Sequence, residues 1–315
     1  MKLRYIILIL SGLSVTLFCC KKVEEGYLSD RMEYMPFTLI ATQGAASYTT
    51  PIPADGSTLP LKVKLLEIRS KATGKALDSA TLQPREVPIY LAELTAADTT
   101  IELINKKITR GMKRPIDIAT IGGRIIVSPA ASFLDTGRYE FDVEVSNMRG
   151  TRVFKNAGNI LIAPKTWYTI TRQTRTSSPV GAETDFQNIG DGSMPMTIDR
   201  YPDAPNKLVF KFVDTKGVPF NPKNGEIILR GDRAHFKLYN PFFPEVKTDT
   251  ALEFQHPNLT RFPFFTQPNG ETSSYYRIPG AFNTINRNVN ATFGITFFGS
   301  GTYIVTMQTG VERKP

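Results

Sequence analysis

The chain has 315 residues, 41% hydrophobic and 21% charged, enough to build one large or two ordinary globular domains, each with its own core. Its only two cysteines, Cys19 and Cys20, sit near the N-terminus, which excludes a disulfide scaffold, a thiol nucleophile and a cysteine metal cluster from the rest of the chain. The formal net charge of +9 favours acidic partners, yet the lysines and arginines are scattered along the sequence, as on a solvated surface, and that scatter argues against a nucleic-acid binder.

The first element is a targeting segment. Lys2 and Arg4 precede an apolar run from Tyr5 to Phe18, long enough for a secretory signal but short of the roughly 20 residues that span a bilayer. Cleavage before Cys20 puts Leu17 at the minus-three position and the small Cys19 at minus one, whereas cleavage before Cys19 would put bulky Phe18 there. Residues 1–19 are therefore predicted to be a lipoprotein signal peptide and Cys20 the lipidated residue, held in the membrane by acyl chains at about 0.8 kcal/mol per buried methylene. Removing residues 1–19 leaves 36 basic against 29 acidic residues, a net charge of +7. Residues 20–36 read as a charged, lipidated tether or as a segment lying along the first domain.

Residues 37–164 are predicted to form a first β-sandwich. Leu61, Val63 and Leu65 alternate with Lys62 and Lys64, and Tyr139, Phe141, Val143 and Val145 alternate with Glu140, Asp142, Glu144 and Ser146. Arg124 to Ser128 and Asn159 to Ile162 are further strands. Ahead of these two, Thr99 as cap, Glu102, and Ile101, Ile104 and Ile108 on one face predict a single short helix crossing the end of this sandwich. Asp135-Thr136-Gly137-Arg138-Tyr139 resembles the tyrosine corner of Greek-key sandwiches, an immunoglobulin-like feature in which the Tyr hydroxyl bonds back to upstream backbone.

Ala163-Pro164-Lys165 marks a boundary, and residues 165–315 are predicted to form a second antiparallel sandwich, immunoglobulin-like or jelly-roll. Its start, from Arg175 to about Asn206, is rich in Ser, Gly, Pro, Asp and Asn and reads as long loops. Strand patterning resumes at Leu208 to Val213, Glu226 to Leu229 and Phe293 to Phe298. A second corner-like ending, Gly299-Ser300-Gly301-Thr302-Tyr303, assigns Tyr303 a structural role like that of Tyr139.

Catalytic parts are few. His235 and His256 belong to no zinc-binding or triad spacing, and no nucleophile elbow, phosphate loop or dinucleotide fingerprint is present. Asp185, Asp191, Asp199 and Asp203 would supply a glycosidase only if two of them met across a sugar, and loop aspartates ordinarily cap turns. Their spacing departs from a calcium loop. The expectation is therefore no enzyme, no metal and no cofactor. Aromatic residues make the better case: Trp167, Tyr168, Phe242, Tyr275 and Tyr276 are the candidate ligand-binding residues, since neighbouring strand residues face opposite sides and an exposed ring stacks on a sugar face.

Three sequence features resemble known Bacteroidota patterns. Lys21-Lys22-Val23-Glu24-Glu25 is similar to the export signal that follows the lipid cysteine, and Asp78-Ser79-Ala80 and Asp249-Thr250-Ala251 are similar to a short O-glycosylation acceptor pattern. The run from Cys20 to Asp30, with Asp135-x-Gly137-x-Tyr139-x-x-x-Val143-x-Val145-x-Asn147 and a β-rich second half, resembles an uncharacterised Bacteroidota lipoprotein family, a domain of unknown function that accompanies SusC-like transporters and SusD-like binding proteins. The resemblance implies an outer-membrane lipoprotein at the cell surface, positioned as SusE and SusF glycan binders are, with the periplasmic face as the alternative. It carries over no catalytic or sugar-binding residue. The expected function is non-catalytic capture of a polysaccharide or other nutrient beside a SusC/SusD-like TonB-dependent transporter. The alternative is a structural lipoprotein of an outer-membrane complex with no small ligand, and a carboxylate-dependent glycosidase ranks last.

Overall fold

The computed structural model describes residues 26–266 and 272–315, so the signal segment and Cys20 lie outside the described residues. The chain divides into two compact units, one running to Pro88 and resuming at Arg110–Lys165, the other made of Ile89–Thr109 and Thr166–Pro315. Regular structure is nearly all β. Among the described residues no helix is long and apolar enough to cross a membrane.

Up to Lys165 the elements are β1 (Thr38–Thr42), β2 (Ser47–Tyr48), β3 (Lys62–Ser70), β4 (Arg85–Tyr90), α1 (Ile101–Lys106), β5 (Ile108–Lys113), β6 (Ile116–Ile118), β7 (Ile125–Val127), β8 (Gly137–Asn147) and β9 (Gly150–Ala163). A four-stranded sheet in the order β1-β9-β8-β3 and a three-stranded sheet in the order β2-β7-β6 share one core. The period-2 pattern of β8 explains its place: Tyr139, Phe141, Val143 and Val145 are all buried. On the opposite face of β8, Asp142 is covered by Arg69, which donates to both of its carboxylate oxygens at 2.8 Å. In β3 the alternation slips. A bulge between Leu65 and Glu67 leaves Leu66 exposed and returns Ile68 to the core, so the apolar pair Leu65-Leu66 marks a change of phase within one strand.

Two expectations for the first half are corrected. Of the two readings of residues 20–36, the tether gives way from Gly26 onward to the segment lying along the first domain, because Leu28, Met32 and Tyr34 bury apolar surface in its core and the Tyr34 hydroxyl donates to the Gly123 carbonyl. Helix α1 is capped by Thr100, one residue later than expected, with its hydroxyl accepting from the Leu103 amide. It ends at Lys106, leaving Ile108 to β5, and its segment belongs to the second unit: Ile104 is buried in that core and Leu94, Ile101 and Ile108 pack against it. A single cut at Lys165 therefore does not describe the units.

From Thr166 the elements are β10 (Tyr168–Ser178), β11 (Gln187–Ser193), β12 (Met196–Tyr201), β13 (Lys207–Val213), β14 (Ile228–Leu229), α2 (Phe236–Tyr239), β15 (Glu245–Lys247), β16 (Leu252–Gln255), β17 (Ser273–Ile278), β18 (Asn288–Phe297) and β19 (Thr302–Gln308). They form two five-stranded sheets, β11-β10-β18-β17-β14 and β12-β19-β13-β16-β15. Rings fill the space between: Phe210 and Phe212 of β13 meet Phe293 and Phe297 of β18, Tyr276 of β17 and Phe236 of α2, with ring centres roughly 5–6.5 Å apart as aromatic packing favours. Helix α2 is a second helix beyond the single one expected; it is four residues long and has no side-chain cap. The loop-rich expectation for residues 175–206 also fails, since β11 and β12 lie there. Their Asn, Asp, Gly and Thr residues carry little apolar alternation because much of these edge strands faces away from the core.

Each unit holds one corner tyrosine. The Tyr139 hydroxyl donates to the Asp135 carbonyl at 2.8 Å, and Gly137 has φ +146°, where a side chain is disfavoured. The Tyr303 hydroxyl lies 3.4 Å from the Gly299 carbonyl. Gly301, at φ +105°, has no room for more than hydrogen: a Cβ there would lie 2.5 Å from the Tyr201 carbonyl oxygen.

Candidate functional site

The β10-β18-β17 register sorts residues onto two faces. Val289, Ala291, Phe293, Ile295 and Phe297 of β18 enter the core, so Asn288, Asn290, Thr292, Gly294 and Thr296 lie on the outer face. Paired beside them are Arg172, Thr174 and Thr176 of β10 and Ser273, Tyr275 and Arg277 of β17. The outer face is thus a polar floor of Thr, Ser and Asn, with Arg172, Tyr275 and Arg277 as its large side chains. The small floor residues of β18 are themselves covered; Asn290 is only 1% exposed.

A hydrogen-bonded network fixes one end of this face. Arg277 Nε donates to Asn290 Oδ1 at 2.9 Å, Asn290 Nδ2 donates to Ser178 Oγ at 3.2 Å, and Asn288 Nδ2 donates to Glu183 Oε1 at 2.9 Å. Glu183 also forms an ion pair with Arg277. The chain leaving β14 then brings up two more cations. Leu229 pairs with Tyr276 and the Tyr275 amide donates to the Ala234 carbonyl at 2.9 Å, which holds Arg230 and Arg233 beside β17. The Arg230 guanidinium lies 4.5 Å from the ring centre of Phe186 and 5.8 Å from that of Tyr275, and Arg233 lies 5.9 Å from the Tyr275 ring. Both are within cation–π range. Burial first, then the neighbouring Arg233 and Arg277, lower the pKa of Arg230 from its ordinary guanidinium value. It remains a cation at neutral pH. Toward the other end of the face, Arg172, Arg261, Ser273 and Thr296 line a cleft of about 110 Å³.

The five sequence-predicted aromatics do not form one platform. Tyr275 stands half-buried on the polar face, while its neighbour Tyr276 points the other way, 1% exposed, stacked on Phe293 at 5.9 Å with its hydroxyl accepting from the Phe236 amide. Burial raises the Tyr276 pKa above the usual phenol range. Tyr276 is therefore a core residue, which corrects the expectation of a surface one. Trp167 is 37% exposed, but the Arg200 guanidinium covers its ring at 3.5 Å and is itself fixed by the Ser300 carbonyl. Tyr168 packs against the core, and so does Phe242, beside Phe262 and Phe264. Only Tyr275 of the five meets the arginine cluster.

The carboxylates are dispersed as well. Asp191, in β11, caps the Ser193 amide at 2.9 Å; Asp199 lies in β12 of the other sheet; Asp185 and Asp203 are exposed in loops. His256 is buried, with its ring nitrogens 3.1 Å from the Pro257 carbonyl and 3.0 Å from the Gly301 carbonyl, a structural position.

Phe186, Arg230, Arg233 and Arg277 were not among the residues expected from the sequence. Basic residues scattered along the chain are clustered in space here. Two signals pointed that way: Tyr275 and Arg277 are two residues apart and so share a face, and Arg230-Gly231-Asp232-Arg233 follows directly on a strand. No protein-family model matches the chain, and no curated protein matches it.

Proposed function

We propose that this protein is a non-catalytic, lipid-anchored outer-membrane protein that captures a glycan or another nutrient at the cell surface, beside a SusC/SusD-like TonB-dependent transporter. The observation that carries the capture role is the outer face of the second sandwich, where a half-buried Tyr275 is flanked by Arg230, Arg233 and Arg277 on a face of Thr, Ser and Asn. Such a face offers a sugar a ring to stack on and, from Thr174, Thr176 and the guanidinium groups, polar partners for its hydroxyls. The dispersal of Asp185, Asp191, Asp199 and Asp203 gives the glycosidase reading no support. The anchoring rests on the segment ending in Cys20 and the surface location on Lys21 to Glu25.

The test is binding of a soluble form, residues 21–315, to an array of neutral and acidic polysaccharides, with Tyr275→Ala and Trp167→Ala for comparison. The proposal expects selective binding that Tyr275→Ala weakens and Trp167→Ala leaves largely intact. A folded protein that binds no member of the array would remove the capture role.

A further inference from the structure

We infer that the outer face of the second sandwich takes an anionic polysaccharide, one carrying carboxylate or sulfate groups, with Arg230 and Arg233 reading its charge and Tyr275 stacking beside them. This deepens the capture reading above and rests on it.

The charge balance of the cluster is the first argument. Arg230, Arg233 and Arg277 converge on Tyr275 and Glu183, and the Glu183 carboxylate is already shared between Arg277 and Asn288. Among the described residues neither Arg230 nor Arg233 has an ion-pair partner, and exposed Asp232, between them in sequence, pairs with neither. Arg233 is exposed to solvent, but Arg230 is partly buried beside two other guanidinium groups with Glu183 as the neighbouring carboxylate, so an added anion would be favoured there, and Arg offers a planar fork suited to carboxylate or sulfate.

Preorganisation is the second. The rings of Phe186 and Tyr275 pack against the guanidinium of Arg230, which leaves its N–H edges to donate in the ring-free directions.

The third is extent along the strands. Arg172 and Arg261 border the cleft at Ser273, four residues along β17 from Arg277, which is roughly 13 Å of strand. Cationic groups spaced along one polar face suit a chain with repeating acidic units.

The test uses pairs of polymers that differ in charge alone: polygalacturonate against its fully methyl-esterified form, and dextran sulfate against dextran. Binding of the soluble form, residues 21–315, is measured at low and high salt and compared with Arg230→Gln/Arg233→Gln. Lys62→Gln/Lys64→Gln, an equal change of charge on exposed residues of the first unit, is the control, and thermal unfolding checks that every variant is folded. The inference expects a charged polymer to bind at least about tenfold more tightly than its neutral partner, the arginine variant to lose about tenfold or more, and the lysine variant to stay within about twofold.

Equal binding of charged and neutral polymers, weakened by Tyr275→Ala, would overturn the inference and leave the capture reading standing. Equal losses in both charge variants would also overturn it, because nonspecific attraction would then be sufficient. Binding to phosphatidylglycerol vesicles in place of the charged polymers, lost in the arginine variant, would overturn it in favour of a lipid headgroup. Failure to bind any of these polymers would overturn the inference, and the polysaccharide array then decides the capture reading by itself.

Discussion

Tyr275 and Tyr276 are adjacent in sequence, and the register of β17 gives them opposite consequences. Tyr276→Ala removes a side chain that is 1% exposed and stacked on Phe293. Truncating a buried aromatic costs about 3–5 kcal/mol, and the Phe236 amide loses its acceptor, a further 1–3 kcal/mol or so if no water replaces it. The expected loss is roughly 4–8 kcal/mol, a large part of the 5–15 kcal/mol typical of a folded domain. Tyr276→Phe keeps the ring and should cost only about 1–2 kcal/mol. Tyr275→Ala removes a half-buried ring from the outer face and should cost clearly less, about 1–2 kcal/mol, while weakening ligand binding. Urea unfolding of residues 21–315 reads this directly. The only tryptophan, Trp167, lies in the second unit, so its fluorescence reports on that unit, with far-ultraviolet circular dichroism alongside. A loss below about 1 kcal/mol for Tyr276→Ala, or equal losses for the two alanine variants, would refute the assignment of faces.

Three other outcomes follow from the geometry. Gly301→Ala should destabilise the second unit by at least about 1–2 kcal/mol, because φ is +105° and the new Cβ would meet the Tyr201 carbonyl; an unchanged melting temperature would contradict this. Ile104→Ala should lower the stability of the second unit by about 2–5 kcal/mol, whereas the exposed neighbour Leu103→Ala should change it little; equal effects would show that α1 is not packed as described. Hydrogen bonds from Arg69 hold the Asp142 carboxyl below its usual pKa, so their contribution is present above the unfolded carboxylate value and is lost as pH falls through the folded one. Arg69→Ala should therefore destabilise the first unit at pH 7 and progressively less in acid, and a constant difference down to about pH 2 would count against the pairing.

The legible parts of the fold were those where one face of a strand is apolar and the other is not. In β8, Tyr139 to Val145 revealed both the strand and the face it buries, and Gly137 with Tyr139 marked the corner. Strands β11 and β12 were hidden because few apolar residues mark their period, and the start of β18, Asn288 to Thr292, because small polar residues alternate there with Val289 and Ala291. The place of residues 89–109 could not be read locally: Ile101, Ile104 and Ile108 announce an apolar face, but nothing in the segment says which core takes it. The candidate site was half legible. Tyr275 was named, yet its arginines come from separate stretches that only the pairing of β14 with β17 brings together.

The most direct test of the capture account is amide hydrogen exchange across the second unit with and without polygalacturonate. The account predicts slowed exchange in residues 183–186, 228–234 and 273–278, the strands and loops carrying Phe186, Arg230, Arg233, Tyr275 and Arg277. Protection confined to the surroundings of Trp167 or to the first unit would contradict it.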